Sequence, residues 1–160
     1  MVCTLAAPGA ALACHQQGSG EDSEDGGEIR WEEHTTWDDA RSWGQASWNG
    51  LNPIDIVPDD VWHTNDLDWY DFSDKYGPPA YWEWNSGFGQ EDIIRLNNYF
   101  MNGYSTTKRR HVATHELGHA LGITNFTGST YSGQVMYAVV NSVIYLQSHD
   151  KTDYHERWGY

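Results

Sequence analysis

The sequence has 160 residues, a formal net charge of −14 and a mean hydropathy of −0.70. This length is typical of one domain, so we expect a single hydrophobic core. So acidic a surface repels phosphate backbones and anionic headgroups, which argues against nucleic acid or membrane surfaces as partners. Beyond the N-terminus, no apolar run approaches the ~20 residues that span a bilayer. We therefore expect the mature chain to be a soluble monomer.

The first thirteen residues are small and apolar, and they end in Ala11-Leu12-Ala13, a pattern that precedes signal peptidase cleavage sites. Residues 1–13 thus predict a signal peptide and secretion. Because no Lys or Arg precedes Arg30, the basic start of such a leader is missing, which fits a clipped signal peptide. A disordered alanine-rich tail is the alternative.

Residues 14–28 contain mainly Gly, Ser and acidic side chains, with no large apolar group that could offset the entropy of ordering. We predict an acidic linker or propeptide remnant here, followed by the folded domain over residues 29–160. Both cysteines, Cys3 and Cys14, precede that domain. No disulfide framework is therefore expected to hold the domain together.

The next segments alternate between helix and strand signals. Thr36 with Asp39 is typical of a capped helix start, and apolar residues follow at spacings of three and four: Trp37, Ala40, Gly44 and Trp48. Strand patterns follow at residues 54–57, 66–74, 81–84 and 92–100, and we expect the last of these at a sheet edge. A final helix starting near Ser148 should pack Tyr154 and Trp158 inward. Strands around one long helix predict an α+β fold.

That long helix contains the pattern His-Glu-x-x-His, formed by His115, Glu116 and His119. Ser105 or Thr106 can cap its start. Histidines four residues apart lie on one helix face about 6 Å apart along the axis, so both imidazoles can bind one Zn²⁺ ion. Glu116 lies beside the first ligand, where a carboxylate can take a proton from activated water and pass it to a leaving amine. These positions predict peptide hydrolysis.

Two further residues strengthen a pattern that also arises by chance. Gly122 follows the second histidine by three residues and can end the helix in a left-handed turn, bringing residue 125 back toward the metal. Met136 fits a methionine turn beneath the metal site.

At this point the sequence resembles the metzincin clan, in particular small secreted bacterial proteases of the matrixin-like and snapalysin-like kinds. The resemblance covers residues 28–160 and rests on five segments: 29–31 with the Trp-rich helix, 94–97, 112–122, 135–137 and 149–154. It implies a twisted mixed sheet above an active-site helix, a methionine turn and a C-terminal helix. It also implies that an edge strand binds extended peptide, and by analogy we assign this role to residues 92–100.

The chain departs from the clan pattern at the third ligand position, where Asn125 stands in place of His or Asp. An amide oxygen is a poorer donor to Zn²⁺ than imidazole or carboxylate, so affinity and Lewis acidity should both be lower. Asn125 remains our leading third ligand. His149 or Asp150 could replace it, whereas His111 lies about 12 Å from His119 along the helix axis, too far to share one metal.

Tyr137 could stabilise an oxyanion, but it follows Met136 directly, whereas the clan's tyrosine usually comes two residues after the methionine. A packing role is the alternative for this residue.

The sequence therefore predicts a zinc endopeptidase acting on proteins or peptides, with His115, His119 and Asn125 as metal ligands and Glu116 as general base. The alternative is a catalytically weakened or inactive binding protein of the same fold. A purely structural zinc site would need a fourth protein ligand, and the core contains no cysteine to supply it. Ca²⁺ could bind the acidic loops at residues 59–60 and 66–74, although their spacing follows no strict calcium pattern.

Overall fold

The computed structural model describes residues 21–87 and 90–159. The predicted leader and both cysteines lie outside these residues. The described chain forms five strands and four α-helices: β1 Glu28–His34, α1 Asp38–Asn49, β2 Asp55–Pro58, β3 Leu67–Phe72, β4 Ala80–Glu83, β5 Asp92–Asn97, α2 Asn98–Met101, α3 Thr106–Ala120 and α4 Ser148–Trp158. None of these helices is long and apolar enough to cross a membrane.

The strands form one mixed sheet in the order β2-β1-β3-β5-β4. β1, β2, β3 and β5 run parallel, and β4 runs antiparallel to β5. The predicted α+β class is confirmed. The prediction of an edge strand at residues 92–100 is wrong, because β5 lies between β3 and β4 and the chain leaves it for α2 at Asn98. The edge beside β5 is β4, which is short and antiparallel.

One face of the sheet carries the core. Leu67, Trp69 and Ile94 are almost completely buried, and the residues between them along each strand point to the opposite face. The core face packs against the two long helices, α1 and α3. The outer face presents polar and charged side chains, including Glu32 and His34.

Helix α1 packs closely against α3 because Gly44 has no side chain at the crossing. A Cβ atom on Gly44 would lie 3.2 Å from the Thr114 Cα atom. One turn further, the indole Nε1 of Trp48 donates a hydrogen bond of 2.8 Å to the Thr114 carbonyl. The predicted apolar stripe of α1 is thus confirmed as a packing surface.

The predicted cap of α1 is wrong. The helix follows Trp37, and no side chain caps its first turn. The Thr36 hydroxyl donates instead to Asp71 in β3 at 2.7 Å, and the Asp39 carboxylate pairs with Arg110 of α3 at 2.8 Å. The Thr36 hydroxyl and the Asp39 carboxylate therefore bind residues that are distant in sequence, and they do not form the local cap that the sequence pattern predicts.

Residues 21–27, which the sequence assigns to the linker, pack on the domain instead of lying apart from it. The Ser23 N–H donates to the Ala120 carbonyl at 2.7 Å, and its hydroxyl donates to Asp92 at 2.6 Å. Asp22 forms an ion pair with Arg157 of α4. These polar contacts order a segment that has no large apolar side chain.

The last helix, α4, packs against the rest of the domain. As predicted, α4 begins at Ser148 and directs Tyr154 inward, where the ring is fully buried. The Ile54 N–H donates to the Tyr154 hydroxyl at 3.1 Å, which ties α4 to the segment before β2.

We predict that Gly118→Ala destabilises the fold by about 1–3 kcal/mol, the usual cost of overpacking a core. The added Cβ would collide with the Met136 side chain and would lie 2.9 Å from the Trp48 ring. This cost should exceed the gain of about 1 kcal/mol that alanine brings to a helix interior. Urea unfolding measures the change.

Gly133→Ala is the matched control, because a Cβ at Gly133 meets no atom within 4 Å. Its free energy of unfolding should stay within about 0.5 kcal/mol of wild type. Equal stability of the two variants would contradict the close packing described for Gly118.

Candidate metal centre

Helix α3 carries the His-Glu-x-x-His residues and is buried in the interior of the molecule. The Ser105 hydroxyl caps its start by accepting a hydrogen bond from the Lys108 N–H at 3.3 Å, as the sequence predicts. From His111 to Ala120 every residue is buried. The helix packs against α1 and the sheet, and the segments that follow it cover its remaining side. Buried residues therefore occur on every face of its second half.

The rings of His115 and His119 lie next to each other, with centroids 4.8 Å apart and planes at 89°. The His115 Nδ1 atom lies 2.8 Å from the Val135 carbonyl oxygen, and the His119 Nδ1 atom lies 2.7 Å from the Ile123 carbonyl oxygen. A carbonyl oxygen only accepts, so each Nδ1 must carry the proton in this arrangement. The lone pair of each neutral ring is then on Nε2, the atom that a metal would bind.

The turn after α3 supplies one of these carbonyls and depends on a glycine. Gly122 has φ +74°, a left-handed conformation that disfavours other residues, and a side chain at this position would collide with Arg157. The Gly122 N–H donates to the His119 carbonyl at 2.8 Å, and the Ile123 N–H donates to the Gly118 carbonyl at 2.9 Å. The predicted left-handed turn at Gly122 is confirmed, and it places the Ile123 carbonyl at the His119 ring.

Asn125 follows this turn and lies next to the methionine segment. The Phe126 N–H donates to the Met136 carbonyl at 2.8 Å, and the Ala138 N–H donates to the Phe126 carbonyl at 3.1 Å. Met136 itself is fully buried against α3 at Gly118. The Asn125 Oδ1 atom is buried, as a ligand atom in a closed site would be.

Asp150 holds the methionine segment in position. Its carboxylate accepts hydrogen bonds from the N–H groups of Val135 and Met136, both at 3.0 Å, and from Gln147 at 2.7 Å. These bonds engage both carboxylate oxygens and give Asp150 a structural role that the sequence does not predict. Because the Val135 carbonyl accepts from His115, Asp150 positions that imidazole through one intervening peptide group.

The side chains of His149 and Tyr137 lie on the segments around Phe126. The His149 ring packs against Phe126 and Tyr131, with ring centroids 5.8 and 4.9 Å away. Tyr137 is half-buried, in a backbone bridge with Phe126. Aromatic packing is thus the contact that the structure gives His149.

His111 lies one turn before the pair on α3. Its ring is 6.0 Å from that of His115, and its Nδ1 lies 2.7 Å from the Val143 carbonyl. As the spacing predicts, His111 is a neighbour of the pair and a link to the segment before α4.

Glu116 is fully buried, with both carboxyl oxygens inside the protein. Burial raises the pKa of Glu116 well above its usual value, and the nearby backbone of Trp82 in β4 lowers that pKa by a smaller amount. Within the described chain neither oxygen makes a close hydrogen bond. Burying a carboxyl group without a close hydrogen bond costs folding free energy. Side chains buried at such a cost are common in functional sites.

This donor set fits a divalent transition metal. Two neutral imidazoles, each oriented by a carbonyl at Nδ1, form the usual basis of a zinc site, and a buried amide oxygen lies on the segment that packs beside them. Asn125, the predicted third ligand, would be the weak member of such a set, because an amide oxygen binds zinc less strongly than a carboxylate.

Comparison with solved structures shows which proteins share this architecture. Two structures of myroilysin match: one with a TM-score of 0.65, 15% identity and coverage of 96% of this chain and 93% of that chain, the other with 0.64, 14%, 94% and 91%. The chain shares the overall fold of these structures. At these identities the likeness concerns the fold alone. No family model and no curated protein sequence matches the chain.

We predict that Asp150→Asn destabilises the protein by about 1.5–3 kcal/mol. Both carboxylate oxygens of Asp150 accept hydrogen bonds, whereas in an amide only the oxygen can accept. Asp153→Asn is the control, since Asp153 lies on the same helix and is only partly buried. Thermal unfolding of both variants measures the difference. A stability loss no larger than that of the control would contradict the role given to Asp150.

A second prediction concerns pH. Burial lowers the pKa of His111 from 6.5 to about 4, so the unfolded chain binds more protons between these values. The stability linked to neutral His111 is fully present above pH 6.5 and is lost as pH falls toward 4, by about 3 kcal/mol in total. His111→Gln should remove this loss.

Urea unfolding of wild type and His111→Gln between pH 4 and 7 measures that difference. Asp66 and Asp92, whose pKa values burial raises to about 6, stabilise the fold as pH falls and act equally in both proteins. His149→Gln serves as the exposed control. Identical pH slopes for wild type and His111→Gln would show that His111 is not held neutral.

Proposed function

We propose that this chain is a zinc-dependent endopeptidase. The observation that carries the proposal is the pair of perpendicular imidazoles, both oriented by backbone carbonyls, on the same helix as the fully buried Glu116. A helix serving only for packing has no need of this polar set, which costs free energy to bury. The metzincin-like fold supports the same conclusion by analogy.

His115, His119 and Asn125 would hold the ion. When bound, Zn²⁺ supplies Lewis acidity toward a peptide carbonyl and makes water a better nucleophile at neutral pH. With a cation beside it favouring the ionised carboxylate, Glu116 would take a proton from the attacking water and later deliver it to the leaving amine, and its raised pKa makes it the stronger base for this step. Both of its oxygens are buried, and burial strengthens the electrostatic interactions inside a site.

The substrate would bind as an extended peptide along the sheet edge. We transfer this role from β5 to β4, because β4 is the edge strand and its residue Trp82 lies next to Glu116. An extended peptide adding to that edge would bring a peptide bond near the carboxyl group of Glu116. The substrate class is therefore protein or peptide, and secretion of the mature chain would give access to it.

We expect Glu116→Gln to reduce cleavage of a casein-type substrate by at least about 100-fold while zinc binding remains, because the amide cannot accept the proton. Glu156→Gln, an exposed residue of α4, is the control and should retain activity. Zinc is measured by elemental analysis of the same samples. Full activity of Glu116→Gln would remove Glu116 from the mechanism.

Variants at Asn125 distinguish the enzyme from the alternative function, a weakened or inactive binding protein of this fold. An amide ligand predicts that Asn125→Ala lowers zinc affinity and that Asn125→His raises it, because imidazole is the stronger donor. Competition with a zinc-binding dye measures both. Unchanged affinity in Asn125→Ala would show that the ligand assignment is wrong.

The activities of the same variants then decide between the two functions. Cleavage by zinc-loaded wild type supports the enzyme. Cleavage only by Asn125→His would favour the inactive binding protein, in which the natural residue at this position prevents catalysis.

A further inference from the structure

A second group of metal-binding side chains lies on the outer face of the sheet. Glu32 and His34 of β1 and Asp68 of β3 each offer one ligand atom, and these three atoms lie within 4.8 Å of one another. The strand register explains this placement: Glu32 lies directly opposite Asp68, and His34 follows Glu32 on the same face. The core residues Leu67 and Trp69 point the other way, so the sheet separates this group from helix α3.

The imidazole in this group is already held in place. The His34 ring stacks on the Tyr70 ring of β3, with centroids 4.6 Å apart and planes at 14°. Its Nε2 atom is 3.5 Å from the Glu32 Oε2 atom. Ligands of a tetrahedral zinc ion lie about 3.3 Å apart at bond lengths near 2.0–2.1 Å. This pair is thus close to the spacing of zinc ligands. The third ligand atom, within 4.8 Å of the others, comes from the Asp68 carboxylate, whose Oδ1 atom accepts a hydrogen bond of 2.7 Å from the Asn65 side chain.

The charges of this face favour a cation at the same point. Two carboxylates that lie directly opposite on neighbouring strands repel each other. Within residues 21–87 and 90–159, neither Glu32 nor Asp68 forms an ion pair with Lys or Arg. The arginines of this face are engaged elsewhere, Arg30 with Glu28 and Asp60, and Arg95 with Glu83.

We propose that Glu32, His34 and Asp68 form a second metal site, which binds a divalent transition ion such as Zn²⁺. The imidazole selects this class over Ca²⁺ and Mg²⁺, which prefer oxygen ligands alone. Three protein ligands leave further positions to water or to another molecule. Because the side chains are partly exposed and the set has only one nitrogen ligand, this site should bind more weakly than the histidine pair of α3.

Equilibrium dialysis of the full chain against Zn²⁺, followed by elemental analysis, tests the proposal. Wild type should bind a second, weaker equivalent that His34→Ala and Asp68→Asn weaken by about tenfold or more. Glu83→Gln, which removes a carboxylate from the same face but outside the group, should leave the isotherm unchanged. Circular dichroism checks that each variant is folded.

Two outcomes decide the matter. Superimposable isotherms for wild type, His34→Ala and Asp68→Asn would overturn the proposal, as would binding of Ca²⁺ in preference to Zn²⁺. The result is independent of the proposed function, because His115→Ala should remove the tighter equivalent and leave the weaker one. If His115→Ala changes nothing while His34→Ala still loses an equivalent, the proposed function fails and the outer site stands.

Discussion

Two hydrogen bonds from imidazole to backbone fix the orientation of the two histidines of helix α3. His115 and His119 each donate Nδ1–H to a carbonyl, from Val135 and Ile123, which puts the lone pair of each ring on Nε2. The acceptors come from two different segments, the turn after α3 and the methionine segment. Both segments must therefore be folded before the two rings can present their Nε2 atoms together.

The remaining architecture serves to fix those acceptors. Gly122 provides the left-handed turn that carries the chain to Ile123. Asp150 binds the peptide groups around Val135 from the first turn of α4, and Tyr154 anchors that helix to the rest of the domain. The sheet contributes Trp82, whose strand lies beside Glu116. A change remote from the histidines, at Asp150 for example, is thus connected to their orientation through one peptide unit.

Local patterns predict much of this arrangement, and long-range partners account for the errors. The spacing of His115, Glu116 and His119 and the position of Gly122 depend on helix geometry and turn preferences, which are local properties of the chain. Strand order depends instead on which segments meet in space, so local patterns place β5 at an edge that β4 occupies. Thr36 has the pattern of a cap, but Asp71, 35 residues away, takes its hydroxyl. Asp150 suits a metal by its type, yet three N–H groups already occupy it.

The most direct test is the tautomer of the two histidines, measured by long-range ¹H–¹⁵N correlation spectra of the metal-free protein and then during addition of Zn²⁺. We predict Nδ1–H tautomers for both His115 and His119, with Zn²⁺ shifting their Nε2 resonances together. Nε2–H tautomers in the metal-free protein, or Zn²⁺ shifts confined to other histidines, would contradict the account.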